Sequence, residues 1–190
     1  MPSGAVRVTA KRGFYGEIFL ICFACLLLEV SYTRIFSFKF FYFFTYLVIG
    51  VALMGLGAAG VVVALVPAIK RMPLGRLLRG ACFFSSASII AGYAVIARIP
   101  INTLEIPLTY AEPAKLALVC GALFAAFFGI GTAIASILGR NSESINRLYF
   151  ADLTGAALGC AVAVPFISSL GPISCVMLSS CAIASAGIWS

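Results

Sequence analysis

Residues 40–69 read FFYFFTYLVIGVALMGLGAAGVVVALVPAI, with no charged side chain among them. A helix that rises about 1.5 Å per residue needs about 20 apolar residues to cross about 30 Å of hydrocarbon, so this stretch is long enough to span a bilayer. It closes with Pro67 and with the basic pair Lys70 and Arg71, which is typical of a span that leaves the lipid. The stretch therefore predicts a transmembrane helix over about 41–66.

The composition of the whole chain extends this prediction to the complete sequence. Of 190 residues, 63% are hydrophobic and 10% are charged. A soluble domain is roughly half apolar and a quarter charged, so an ordinary water-soluble fold is excluded. The chain has no histidine, which excludes any mechanism that needs a histidine base or metal ligand.

Further apolar stretches predict an all-α, polytopic integral membrane protein with about six transmembrane helices and no soluble domain. The last uncharged run, residues 153–190, is too long for one span, and Gly171-Pro172 is expected to break it. The six predicted helices cover approximately residues 15–36, 41–66, 80–98, 116–139, 148–168 and 172–189.

The basic residues predict the orientation. With six spans, one side of the membrane holds nine of them, namely Arg7, Lys11, Arg12, Lys70, Arg71, Arg76, Arg79, Arg140 and Arg147. The other side holds four, namely Arg34, Lys39, Arg98 and Lys115. The positive-inside rule therefore places both termini in the cytoplasm. Because the excess of +7 lies between apolar runs, it indicates orientation in a lipid bilayer and not a nucleic-acid partner.

The glycines predict helix packing. Residues 55–60, GLGAAG, match the G-x-G-x-x-G fingerprint, but they lie inside an uncharged helix without the strand that a dinucleotide site requires, so no cofactor is expected. Small residues let helix backbones approach closely, and we assign that role to Gly50, Gly55, Gly57 and Gly60. Gly155 and Gly159 form a G-x-x-x-G that fits internal packing and homodimerisation equally well.

The seven cysteines all lie in apolar stretches and are interpreted as small buried hydrophobes. Cys22 and Cys25 form a single C-x-x-C without a second pair, which is too little for a metal site or a redox motif. We predict no catalytic residue and no metal site.

Charges inside spans are the informative residues, because each costs about 3 kcal/mol at the bilayer centre and needs a partner. Glu29 lies somewhat beyond the middle of the first helix and shares a face with Thr33. Arg34 is offset from Glu29 by roughly 140° at about 100° per residue, so a direct pair is awkward. Arg98 and Lys115 are alternative partners at the same level.

Asp152 is predicted one turn into the fifth helix, near Tyr149, which is a further candidate polar residue. The helix dipole favours an acid there, and Arg147 or the basic segment 70–79 is the expected partner. Since Glu29 and Asp152 fall in opposite halves of the bilayer, we do not expect them to form a carboxylate pair. Two interpretations stay open: charges that lock helix packing, or a site for a cation or proton.

Two segments resemble a known family. Residues 28–34, LEVSYTR, resemble the opening of the membrane domain attached to bacterial spermidine synthase-like proteins, and residues 147–159, RLYFADLTGAALG, resemble a second stretch of that domain. The resemblance implies location in the bacterial inner membrane. It also implies a cytosolic aminopropyltransferase-like domain of methyltransferase fold with a G-G-G-x-G loop, which this sequence lacks, so the family's catalytic residues match no position here.

The sequence leaves three hypotheses for function, of which the first follows from the resemblance. The chain anchors or regulates an aminopropyltransferase-like domain or partner, either as a fragment of a longer enzyme or as a separate protein. It is alternatively a small transporter or half-transporter for a cationic or other small substrate, built by dimerising six helices. The third hypothesis is a structural subunit of a membrane complex.

Overall fold

The computed structural model describes residues 14–39, 44–98, 111–141 and 144–190, and these ranges form helices and no strand. The helices are α1 Tyr15–Lys39, α2 Phe44–Leu65, α3 Pro67–Arg71, α4 Leu74–Arg98, α5 Ala111–Arg140, α6 Ile145–Leu170 and α7 Pro172–Trp189. All of them except the short α3 are long and apolar enough to cross a membrane. The predicted class, a multi-pass helical membrane protein with six spans, is confirmed.

Several helices extend beyond the predicted spans. The fourth helix begins at Leu74, where a span from residue 80 was expected, and α5 begins at Ala111, ahead of the expected residue 116. Apolar residues indicate which part of a helix lies in lipid. The helix itself can continue beyond the lipid through charged residues, because its backbone hydrogen bonds are made within the helix. The sequence also gave no signal for α3, a single turn that follows the extended residue Val66.

The helices run alternately between two ends of the bundle. We call the end where α1 begins and α7 ends the basal end, and the opposite end the distal end. At the basal end Trp189 lies against Gly16. At the distal end the Lys39 ammonium donates hydrogen bonds to the carbonyl oxygens of Ile96 and Ala97, where a cation is favoured by the α4 dipole.

The first helix lies at the centre of the packing. It contacts α2, α5, α6 and α7, and its side chains Tyr32 and Phe36 are fully buried. The chain closes around it through contacts of α7 with α4, of α4 with α5 and of α5 with α2. Helix α6 packs mainly on α1, with a smaller contact to α7, and leaves much of its surface for lipid.

Buried polar groups connect these helices. The Tyr32 hydroxyl donates to the carbonyl oxygen of Ile89 on α4 at 3.0 Å, and the hydroxyls of Ser86 and Ser180 lie 2.7 Å apart between α4 and α7. In lipid such groups have no water to bond, so pairing inside the bundle stabilises the packing.

The expected break near residue 171 is confirmed. Gly171 has a φ of +81°, a conformation that glycine adopts easily, and α7 begins directly after it with Pro172. One residue therefore separates α6 from α7.

Candidate functional site: a polar seam between α1 and α6

Glycines bring α6 unusually close to α1. A Cβ atom on Gly155 would overlap the carbonyl oxygen of Phe19, and one on Gly159 would lie 2.6 Å from the carbonyl oxygen of Phe23. Both pairs advance by four residues, so the two helices run parallel, with Ala163 and Leu27 buried together one turn further. The G-x-x-x-G thus packs α6 on α1 within one chain.

The glycines of α2 divide into two groups. A Cβ on Gly55 would lie 3.0 Å from the carbonyl oxygen of Phe124 on α5, in close contact as expected. At Gly50, Gly57 and Gly60 a Cβ would meet no described atom within 4 Å. At about 100° per residue Gly57 lies on the side of α2 opposite Gly55, whereas Gly60 borders a cavity between α2 and α5. The packing role of these three glycines has no counterpart among the described contacts.

Asp152 accepts a hydrogen bond from the thiol of Cys22 on α1. It forms no ion pair with a described residue, neither with Arg147 nor with the segment 70–79, which corrects the expected pairing. The physical reason is that α6 begins at Ile145, so Asp152 lies two turns into the helix. There the helix dipole has faded, and Arg147, five residues earlier, is offset by about 140° at about 100° per residue.

Glu29 and Cys25 continue the polar row on α1. The Cys25 thiol is buried and lies about one helical turn from both Cys22 and Glu29. Glu29 is half-buried and forms no ion pair or hydrogen bond with a described residue. Seven residues separate it from Cys22, which corresponds to about 10 Å along the helix, so the two carboxyl groups lie at different depths.

A cleft lies at the distal end of this row, between α1, α2 and α6. Its volume is about 410 Å³. Its polar lining consists of the Arg34 guanidinium and four hydroxyl groups, those of Thr33, Ser37, Thr45 and Ser168. Arg34 is exposed and lies 4.6 Å from the centre of the Phe38 ring, a cation–π contact.

We call Cys22, Cys25, Glu29, Thr33, Arg34 and Asp152 together the polar seam. Of the four predicted polar residues, Asp152 and Arg34 lie at the α1–α6 interface, and Glu29 lies on the same face of α1 as Cys22. Tyr149 is half exposed at the basal end and makes no hydrogen bond with a described residue. Cys22 was not predicted, although its seven-residue spacing from Glu29 places both on one helix face.

In the polar seam the Asp152 carboxyl group lies toward the basal end, the Glu29 carboxyl group near the middle of α1, and the Arg34 guanidinium toward the distal end. The charged groups are therefore separated along the helix axis. Within the described residues no group of three or more acidic, cysteine or histidine side chains is placed to hold a metal ion.

Neither a protein-family model, nor a curated protein, nor a solved structure matches the chain. The fold and the seam define its class, a multi-pass helical membrane protein with ionisable groups inside its spans.

Proposed function

We propose that the chain is a membrane domain that anchors an aminopropyltransferase-like domain or partner and responds to a cation bound on the polar seam. The observation that supports this proposal is that both segments of the resemblance to spermidine synthase-like proteins lie on one pair of packed helices. The segment 28–34 lies in the distal half of α1 and the segment 147–159 in the basal half of α6, and these two helices pack against each other. The glycines of the second segment make the close contact, against Phe19 and Phe23.

The electrostatics of Glu29 favour a cation as the ligand. An ionised carboxylate inside a membrane is costly without a partner, so Glu29 is stable only when it is protonated, hydrated or paired with a cation. Arg34 does not fill that role, because its guanidinium lies over the Phe38 ring. Thr33, one turn beyond Glu29 on α1, lines the distal cleft. A primary ammonium group that extends from the cleft past Thr33 would supply a partner for Glu29.

Titration of the purified full chain in lipid nanodiscs with spermidine and with putrescine tests the cation. We expect saturable binding that Glu29→Gln weakens at least about tenfold, which corresponds to about 1.4 kcal/mol. Glu17→Gln is the matched control, because Glu17 is the other acid of α1 and lies at its first turn, away from the seam. Equal binding by wild type and Glu29→Gln, or no binding at all, would remove the cation from the proposal.

The anchor is tested separately. A G-G-G-x-G loop encoded in frame after Ser190, or in the adjacent gene, would supply the partner, and its product should copurify with this chain from membranes. If neither reading frame contains the loop, the anchoring function fails whatever the outcome of the cation titration.

The distal cleft favours a second candidate, a transporter of small cationic or zwitterionic molecules. Its hydroxyl groups and Arg34 form a polar surface next to lipid. Such a surface would offset the cost of moving a polar ligand from water into the membrane. Flux into proteoliposomes should then be lost in Glu29→Gln and in Asp152→Asn while expression is maintained. Normal flux in both variants would exclude the seam from transport.

A further inference from the structure

A second cavity, the basal groove, lies on the other side of the bundle between α2 and α5. Its volume is about 460 Å³. Its walls are made by small residues, Gly60 and Ala64 on α2 and Ala135 and Gly139 on α5. A Cβ on Gly60 or on Gly139 would meet no described atom within 4 Å, so the space beside these glycines is open.

Two basic side chains, Lys70 and Arg140, line the mouth of the basal groove. Arg140 donates hydrogen bonds from Nη1 to the carbonyl oxygen of Met72 and from Nη2 to that of Ile69. These bonds fix the α3 segment across the end of α5 and place Lys70, which lies between the two acceptors, beside the groove. A guanidinium has five N–H donors, so Arg140 keeps three for a ligand.

The described residues at the mouth of the groove carry positive charge only. Lys70 and Arg140 form no ion pair with a described residue, and α2 and α3 contain no Asp or Glu. Glu143, three residues after Arg140, lies outside the described residues. The two cations favour an anion at the mouth, while the glycine and alanine walls favour an apolar chain.

We propose that the basal groove binds one anionic phospholipid, with the phosphate on Lys70 and Arg140 and an acyl chain along Gly60 and Gly139. Arginine and lysine together are a common phosphate-binding pair, and basic pockets between spans bind anionic headgroups. The basal end is also the side that the positive-inside rule assigns to the cytoplasm, whose leaflet carries anionic lipids.

Native mass spectrometry of the full chain tests this site, with phosphatidylglycerol and phosphatidylcholine of identical acyl chains added in parallel. We expect one phosphatidylglycerol molecule to remain bound per chain under conditions that remove phosphatidylcholine. Lys70→Gln removes a headgroup contact, and Gly60→Leu fills the groove without a backbone clash. Each should lower the affinity for phosphatidylglycerol about tenfold, or about 1.4 kcal/mol.

The matched control is Arg147→Gln, which removes an exposed basal cation outside the groove and should leave lipid retention unchanged. Equal retention of the two lipids would overturn the proposal, as would unchanged phosphatidylglycerol affinity in both groove variants. Displacement of the lipid by inorganic phosphate alone would assign the site to a free anion, and a dimer that Gly60→Leu dissociates would assign the groove to a second copy of the chain. Spermidine binding should be normal in Lys70→Gln, so failure here is distinct from failure of the cation proposal.

Discussion

Two pairs of parallel helices, α1–α6 and α2–α5, are built by the same device and differ in what they enclose. In both pairs glycine removes the side chain that would separate the backbones: Gly155 opposite Phe19 in the first pair, and Gly131 opposite Leu56 in the second. The α1–α6 interface also encloses a carboxyl–thiol hydrogen bond, whereas the α2–α5 contact is apolar. Both pairs thus have closely packed backbones, and of the two only α1–α6 encloses an ionisable side chain with a hydrogen-bond partner on the other helix.

The difference indicates which contacts stabilise the fold and which serve binding. Packing through small residues is the main attraction between helices in lipid, because lipid tails are as apolar as the side chains. Polar groups add little to that attraction, so the ionisable Asp152, which only the first of these two pairs encloses, calls for another role. Glycine-to-alanine substitutions measure how much close packing contributes to stability, and removal of the Cys22–Asp152 pair measures the contribution of the polar groups.

Gly155→Ala is expected to have the largest effect. The added methyl overlaps a backbone carbonyl oxygen that cannot rotate away, so α6 must shift along its length. We expect a loss of about 2–3 kcal/mol in the free energy of unfolding, measured by circular dichroism during titration with sodium dodecyl sulfate. A change below the error of the method would contradict the parallel contact of α1 with α6.

Gly131→Ala makes the same change in the apolar pair. Its Cβ would lie 2.9 Å from the Cα of Leu56 and 2.9 Å from the Cβ of Ala59, so the strain is shared with a methyl group. We expect a smaller loss of about 1–2 kcal/mol in the same assay. If Gly131→Ala were more damaging than Gly155→Ala, α2–α5 would be the tighter interface and the comparison would be reversed.

The polar pair should contribute less than either glycine. A double-mutant cycle with Cys22→Ala and Asp152→Ala measures the interaction of the two side chains, and we expect about 1 kcal/mol of coupling. Ser86→Ala with Ser180→Ala is the matched cycle for a hydroxyl pair elsewhere in the bundle. Zero coupling in the first cycle alone would mean that Asp152 does not hold α6 through Cys22.

Gly57→Ala should have the smallest effect and the opposite sign. The new methyl meets no described atom within 4 Å and alanine favours helix, so we expect a gain of about 0.5–1 kcal/mol. A loss comparable to that of Gly131→Ala would reveal a partner helix packed on this face of α2, such as one from a second copy of the chain. The oligomeric mass of wild type and Gly57→Ala would then have to differ.

Much of the fold could be predicted from the sequence. Thirty uncharged residues from 40 to 69 leave no alternative to a span, and Gly171-Pro172 marks a break for a local steric reason. The helix ends at Leu74 and Ala111 could not be placed, because a helix continues into water without any change in its hydrogen bonds. An apolar stretch indicates which residues lie in lipid, and it does not indicate where the helical backbone begins or ends.

The seam was harder to predict than the fold. The sequence identified Glu29 and Asp152 as costly charges, but their partners depend on which helices are neighbours, and no pattern within one span contains that information. The same limit applies to the glycines of α2, since Gly55 and Gly57 are alike in sequence and differ only in the side of the helix they occupy. For Cys22 the apolar surroundings favoured a buried hydrophobe, whereas its thiol faces Asp152.

The single residue between α6 and α7 has a consequence for how the protein is made. Of the six spans α7 has the lowest mean hydropathy, which makes it the poorest candidate for independent insertion. Because only Gly171 separates α6 from α7, we expect the two spans to enter the bilayer as one hairpin, in which the more apolar α6 assists the insertion of α7. Asp152 is then expected to reach α1 together with α7 and not ahead of it.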